Sequence, residues 1–302
     1  MRSLFYIGFI GLSLFEILNV YFIMPMPGSQ QMDSIDLAYF LYSYRWYFRI
    51  AFMLLALIGS FQAFQTRKRW IPGLVVAVTI GITYLFNFRM TADPMFLQPE
   101  VVTFQSRAEN SLSDSTLVIA VTLNNEAKAY PIRYIVYHHQ VRDTVGGKPI
   151  MVTYCSVCRT GRVFEPLVTG KPENFRLVGM DHFNAMFEDA STKSWWRQAT
   201  GEAVTGPLKG QSLPEIESQQ ITLGKFFFRY PFGKVMQAEV ASIPKYDTLG
   251  KFEQGKSKSK LTGTDSLSWN DKSWVVGIQI ENKTKAYDWN ELKHKQLIHD
   301  SI

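Results

Sequence analysis

The sequence predicts two unlike parts. Residues 1–90 read as an all-α region of three transmembrane helices, and residues 91–302 as a mainly β (α+β) extracytoplasmic domain with an internal duplication. Three observations predict this. Three apolar runs of membrane-spanning length stand near the N-terminus. Short β-branched and aromatic runs broken by Gly, Pro, Asn and Asp follow them. The second part then matches itself without a gap.

The apolar runs cover about 4–24, 46–64 and 70–88, each 19 to 21 residues. A helix rising ~1.5 Å per residue needs about 20 residues to cross a ~30 Å hydrocarbon core. Glu16 is the single charge of the first run and Arg49 of the second; the third has none. Arg2 ahead of an apolar run also suits a cleaved signal peptide, but Pro25-Met26-Pro27 follows where a small-x-small cleavage site belongs, so the first span is expected to stay. Glu16 and Asn19 are expected to face neighbouring helices rather than lipid.

Basic residues orient the spans. Arg2 and the tight Arg67-Lys68-Arg69 loop belong on the cytoplasmic side, whereas 25–44 contains no Lys or Arg and faces outward. Arg45 and Arg49, beside Trp46, Tyr47 and Phe48, are expected to snorkel at the outer interface. Three crossings place the large domain outside, giving a multi-pass protein of the cell (inner) membrane. The partners implied are the lipid bilayer and membrane proteins met through the three helices. The net charge of +6 needs no nucleic-acid partner, because part of it is the orientation signal and Lys256, Lys258 and Lys260 read as a solvated loop.

In the outer domain, residues 117–123, 127–132, 150–154, 162–164, 234–240 and 274–280 read as strands, with an Asn124-Asn125 turn after the first. Residues 133–142 and 285–294 read as short helices. The segment 118–145 matches 275–302 position for position: Asn125, Lys128, Ala129, Tyr130 and Asp143 recur as Asn282, Lys285, Ala286, Tyr287 and Asp300. The first copy continues through Gly146-Gly147-Lys148-Pro149 into a strand carrying cysteine, and the second stops, as a shortened chain or an incomplete motif would. His138 and His139 stand where the second copy has Lys295 and Gln296, so the candidate chemistry belongs to one copy alone.

The two cysteines of the chain sit at Cys155 and Cys158, between two strand-like runs. A thioredoxin-type pair opens a helix, where the dipole lowers a thiol pKa; Thr160-Gly161 favours a knuckle-like turn instead. Arg159 occupies the place that haem attachment gives to His, which excludes haem, while Arg159 and Arg162 could stabilise a thiolate. Two sulfurs seldom suffice for a metal, and His138, His139 and His182 are the candidate further ligands. Thiolate with imidazole suits copper or zinc, and the sulfur favours copper. Met24, Met26, Met32, Met90 and Met95 gather near the outer face, either as copper-directed thioethers or as ordinary apolar filler. Glu165, Asp181 and Glu188 form no diagnostic acid–base pair, and Gly206 to Gly210 lacks the ending of a phosphate loop, so no nucleotide is expected.

Further blocks are Ala127-Lys-Ala-Tyr-Pro131, His138 with Val141 and Asp143, Gly146-Gly-Lys-Pro149, Val152-Thr-Tyr-Cys-Ser-Val-Cys158, residues 189–198 with Asp189, Thr192, Ser194, Trp196 and Gln198, Gly201 to Gly206, and Gly210 with Leu213. Over about 93–302 these resemble the family catalogued as domain of unknown function 3179. Ser156-Val157 and Arg159 depart from its usual Pro-Leu and Gly, His139 from a frequent Glu, and Ala190 and Lys193 from its Arg and Gly. The resemblance implies a fold and site candidates but no reaction. Three readings stay open: a site binding copper or zinc, a thiol–disulfide oxidoreductase using Cys155 and Cys158, and a non-enzymatic binding or scaffold module with a structural disulfide.

Overall fold

The computed structural model describes residues 1–156, 159–253 and 275–301 apart from 293 and 296. The Lys256–Lys260 loop and Cys158 therefore lie outside the described residues. The helical part comprises α1 (Arg2–Tyr21), α2 (Ile35–Ser43), α3 (Arg45–Phe64) and α4 (Trp70–Tyr84), the last running on as a π-helical turn over Leu85–Arg89, then the short α5 (Ala92–Met95). The spans Arg2–Tyr21, Arg45–Phe64 and Trp70–Arg89 are long and apolar enough to cross a membrane.

α1 is the central span. It meets α3 through small residues: a Cβ on Gly59 would lie 2.3 Å from Phe5 N, and one on Gly8 would lie 2.5 Å from Ala56 N. Dispersion and close backbone approach hold such a contact together where lipid removes the hydrophobic drive. Towards the C-terminal end of α1 the three spans share one polar cluster. Arg49 donates to both Glu16 oxygens at 2.7 and 2.9 Å, and Asn87 on the π turn donates to Glu16 at 2.9 Å and accepts from Arg49 at 2.5 Å. Glu16 thus faces its neighbours as expected, but Arg49 does not snorkel. A buried carboxylate requires a counter-charge more than the arginine requires water.

The chain then runs β1 (Phe104–Gln105), β2 (Leu117–Leu123), β3 (Glu126–Pro131), α6 (Ile132–His138), β4 (Gln140–Val145), β5 (Lys148–Cys155) and β6 (Thr160–Phe164). A ribbon of β7 (Leu167–Val168) and β8 (Lys171–Pro172) leads to β9 (Phe175–Asp181), β10 (Asn184–Asp189), β11 (Trp195–Arg197) and β12 (Ala203–Thr205). β13 (Glu215–Ile216), β14 (Ser218–Thr222), α7 (Leu223–Arg229), β15 (Lys234–Met236) and α8 (Ile243–Glu253) follow, then β16 (Val275–Ile280), β17 (Lys283–Asp288) and α9 (Trp289–Leu292).

Three sheets form layers, in the orders β12-β11-β10-β9, β13-β6-β5-β4 and β1-β15-β3-β2-β14. The period-2 alternation of strand side chains joins them. Met151 and Phe164 of the middle sheet pack with Phe175, Met186 and Trp195 of the first, while Ile150, Val152 and Val163 pack with Ile119, Val121 and Tyr130 of the third. The far face of that third sheet, Val118, Ala120 and Ala129, is closed by Leu223, Phe226 and Phe227 of α7.

The first sheet is docked on the membrane part. Val20, Ile23, Met24 and Ala38 belong to its core. Met180 N–H donates to Ile23 O at 2.8 Å, and a Cβ on Gly179 would lie 2.2 Å from that oxygen. Tyr39 and Tyr42 meet Trp195 edge-on at 5.1 and 5.5 Å.

Three element expectations need correction. The strand read over 234–240 ends at Met236, and Val240–Ser242 form a 3-10 turn. The helix read over 133–142 ends at His138, because His139 adopts φ +60° and closes it with a 2.7 Å bond from its N–H to Ile135 O. Lys285 to Asp288 are strand, not helix, paired in register with β16, and only Trp289–Leu292 are helical. The side-chain set Lys128 and Tyr130 on Asp143, at 2.9 and 2.7 Å, recurs as Lys285 and Tyr287 on Asp300 at 2.5 and 3.3 Å.

Candidate functional site

Cys155 is the last residue of β5 and pairs across the hairpin with Thr160, the first of β6. The turn therefore joins two antiparallel strands, as its composition predicted. The Cys155 thiol is buried, 3 % exposed, and donates to Phe183 O at 3.5 Å.

That carbonyl belongs to the turn between β9 and β10, where Asp181 pairs with Asn184 and the two central residues, His182 and Phe183, take φ of +46° and +62°. A two-residue hairpin of this hand normally uses Asn or Gly, as Asn124-Asn125 does between β2 and β3. A bulky residue at positive φ costs about 1–3 kcal/mol, and such strain concentrates at functional sites. The turn is held by the segment between α1 and α2: Phe183 N–H donates to Gln30 Oε1 at 3.1 Å, and His182 Nε2 lies 3.3 Å from Asp33 Oδ1. His182 Nδ1–H donates to Asp181 Oδ1 at 2.7 Å, which orients the ring, and Arg197 pairs with the other Asp181 oxygen.

The other two histidines sit elsewhere. His138 is fully buried between Leu97 O, 2.5 Å from Nδ1, and the Tyr246 hydroxyl, 2.7 Å from Nε2. A carbonyl can only accept, so Nδ1 carries the proton and Tyr246 donates to Nε2. His139 stacks on Phe96 at 4.4 Å, and its Nδ1–H donates to Val136 O at 2.8 Å. Burial pushes its pKa down to about 4, against a smaller opposing effect of the Val136 bond. Among the described residues no three His, Cys, Asp or Glu side chains converge to hold a metal ion.

The motif from 189 to 198 is a folding device. Asp189 accepts from Trp196 Nε1 at 2.9 Å, Thr192 Oγ1 at 2.7 Å, Thr192 N–H at 2.5 Å and Ser194 N–H at 3.1 Å. Burial works to raise its pKa, but these bonds outweigh it and hold the carboxyl below its ordinary value. Ser194 Oγ in turn accepts from Leu208 N–H at 3.0 Å. Gln198 differs from the rest of the motif: its amide donates to Thr153 Oγ1 at 2.9 Å and to Thr160 O at 3.1 Å, reaching the base of the cysteine turn. Arg162 pairs with Glu215 at 2.8 Å, and Arg159, at φ +54°, has its pKa lowered by burial.

Sequence reading missed Gln30, Asp33 and Phe183. The signals available were weak: an Asp-His-Phe-Asn stretch in a hairpin position and polar residues in the loop between the first two spans. A family model described as a protein of unknown function (DUF3179) matches residues 94–302. No curated protein and no solved structure matches the chain.

Proposed function

Since the chain belongs to the DUF3179 family, whose description names no activity, we propose from the site itself that it is a membrane-anchored extracytoplasmic metal-binding protein, with Cys155, Cys158 and His182 as ligands for copper or zinc. The observation that carries this is the 3.5 Å contact between the Cys155 thiol and Phe183 O, which sets the Asp181–His182 pair beside the cysteine turn. A carboxylate on Nδ1 is the usual outer-shell arrangement of a metal histidine, and Nε2 would exchange its 3.3 Å contact with the solvent-exposed Asp33 for the metal. His138 and His139 leave the ligand set, the first because it is fully buried with both nitrogens bonded inside the core and the second because it is stacked and bonded there.

The outward orientation rests on Arg67-Lys68-Arg69 between the second and third spans. It is supported by the docking of the domain on the 22–44 segment, which must lie on the same side. The burial of Cys155 weighs against thiol–disulfide exchange, because an attacking thiolate has to be reached by its partner.

The test is elemental analysis of the full chain in detergent, as wild type, Cys155→Ser, Cys158→Ser and His182→Ala. Near-stoichiometric copper or zinc that disappears in both cysteine variants and weakens in His182→Ala supports the reading. A wild type that neither carries nor takes up either metal overturns it, and a readily reducible Cys155–Cys158 bond would then favour the oxidoreductase.

A further inference from the structure

We infer that Gln198 is a positioning residue of the cysteine hairpin, acting at Cys155 from the neighbouring sheet; this rests on Cys155 and Cys158 being the functional site. Gln198 follows β11, and its backbone N–H donates to Ala185 O at 2.8 Å, anchoring it to the membrane-docked sheet. Its side chain crosses to the middle sheet. There it bonds to Thr153, two residues before Cys155 on the same strand face, and to the carbonyl of Thr160, the cross-strand partner of Cys155. One amide thus grips both strands of the hairpin that carries the pair.

The orientation of that amide is forced. Thr160 O can only accept, and the Thr153 hydroxyl spends its own proton on Arg162 O at 2.8 Å. Nε2 therefore faces the turn and Oε1 points away. Gln198 is fully buried, and Oε1 has no hydrogen-bond partner among the described residues. Leaving a buried amide oxygen unpaired costs stability, and an apolar side chain of similar size would avoid that cost. What the glutamine supplies is its pair of N–H donors at the turn.

Gln140 is the internal control. It too is fully buried, its Nε2 donates to a carbonyl (Phe175 O, 2.7 Å), and its Oε1 has no partner among the described residues. It stands opposite Thr153 in the β4–β5 register, yet its amide bridges to β9 and not to the turn. The two glutamines share chemistry, burial and the task of clipping one sheet to another. Only one of them holds the cysteine hairpin.

The experiment compares Gln198→Leu, Gln198→Asn and Gln140→Leu in the full chain in detergent. The readouts are iodoacetamide reactivity of the reduced thiols against pH, zinc affinity by chelator competition, and melting temperature. Gln198→Leu and Gln198→Asn are expected to weaken zinc binding by about 10-fold, the low end of what losing a direct outer-shell partner costs, because Gln198 acts one residue removed from Cys155, and to shift the pH profile of alkylation. Gln140→Leu should lower the melting temperature at least as much while leaving both thiol readouts within about twofold of wild type. Equal effects of the Gln198 and Gln140 variants on the thiols would overturn the assignment. A wild type that binds no zinc defeats the metal reading alone, since the alkylation profiles still decide the role of Gln198. If Gln198→Leu fails to fold, Gln198→Asn, which keeps the amide but shortens its reach, carries the comparison.

Discussion

Lowering the pH from neutral to about 5 is expected to destabilise the sheet-rich domain through His139. Its ring is buried against Phe96, its Nδ1–H is spent on Val136 O, and a second proton would have to enter at Nε2 inside the core. Burial, reinforced by the neighbouring His138, depresses its pKa from 6.5 to about 4. The sign follows from proton counting. Between those values the unfolded chain holds a proton that the folded one does not, so the stability is complete above about 6.5 and falls as the pH drops towards 4. At pH 5 the loss for this one residue comes to about 2 kcal/mol, which for a domain of this size is about 4–8 °C in melting temperature. His138 is depressed by burial in the same direction and adds to the fall. The depressed carboxyls of Asp189 and Glu126 contribute chiefly below this range. The assay is thermal unfolding of the full chain in detergent at pH 7.5 and 5, wild type against His139→Asn. Asparagine tolerates the positive φ at this position and does not titrate. The variant should melt lower at neutral pH but lose about 4–8 °C less on acidification. An equal acid shift in both proteins would refute the reasoning.

Two further outcomes test how the parts of the molecule are held together. Gly179→Ala would place a Cβ 2.2 Å from Ile23 O, so the bond from Met180 to that oxygen should be lost at a cost of about 1–3 kcal/mol, read as faster proteolytic separation of the domain from α1; an unchanged cleavage rate would contradict the docking. Arg49→Leu leaves Glu16 buried at 1 % exposure with Asn87 alone and should cost about 3–5 kcal/mol. Adding Glu16→Gln should recover part of that, measured by thermal unfolding in detergent.

Local signals in the chain were enough for much of the architecture. The apolar runs announce three spans because length and lack of charge are properties of contiguous sequence. The β2–β3 hairpin follows from alternation around Asn124-Asn125, and the cysteine turn follows from strand-like residues on both sides of Cys155. Even Glu16 could be assigned to a helix interface, since lipid leaves a carboxylate nowhere else to go.

What required the tertiary structure was the choice of partner. His138, His139 and His182 look equivalent in sequence, yet one is sealed against Tyr246, one is stacked on Phe96, and one stands on a strained turn beside Cys155. Arg49 could have reached water or Glu16, and only the crossing of α1 and α3 decides for Glu16. The short strands β9 to β12, the docking of the 22–44 segment and the reach of Gln198 to Thr160 join residues far apart in the chain. The sequence determined which segments form spans and hairpins, because backbone and hydropathy preferences act over a few neighbouring residues. The packing of three sheets on one another, and of the first on the N-terminal helices, decided which side chains meet at the cysteines, because burial and hydrogen-bond satisfaction depend on distance in space.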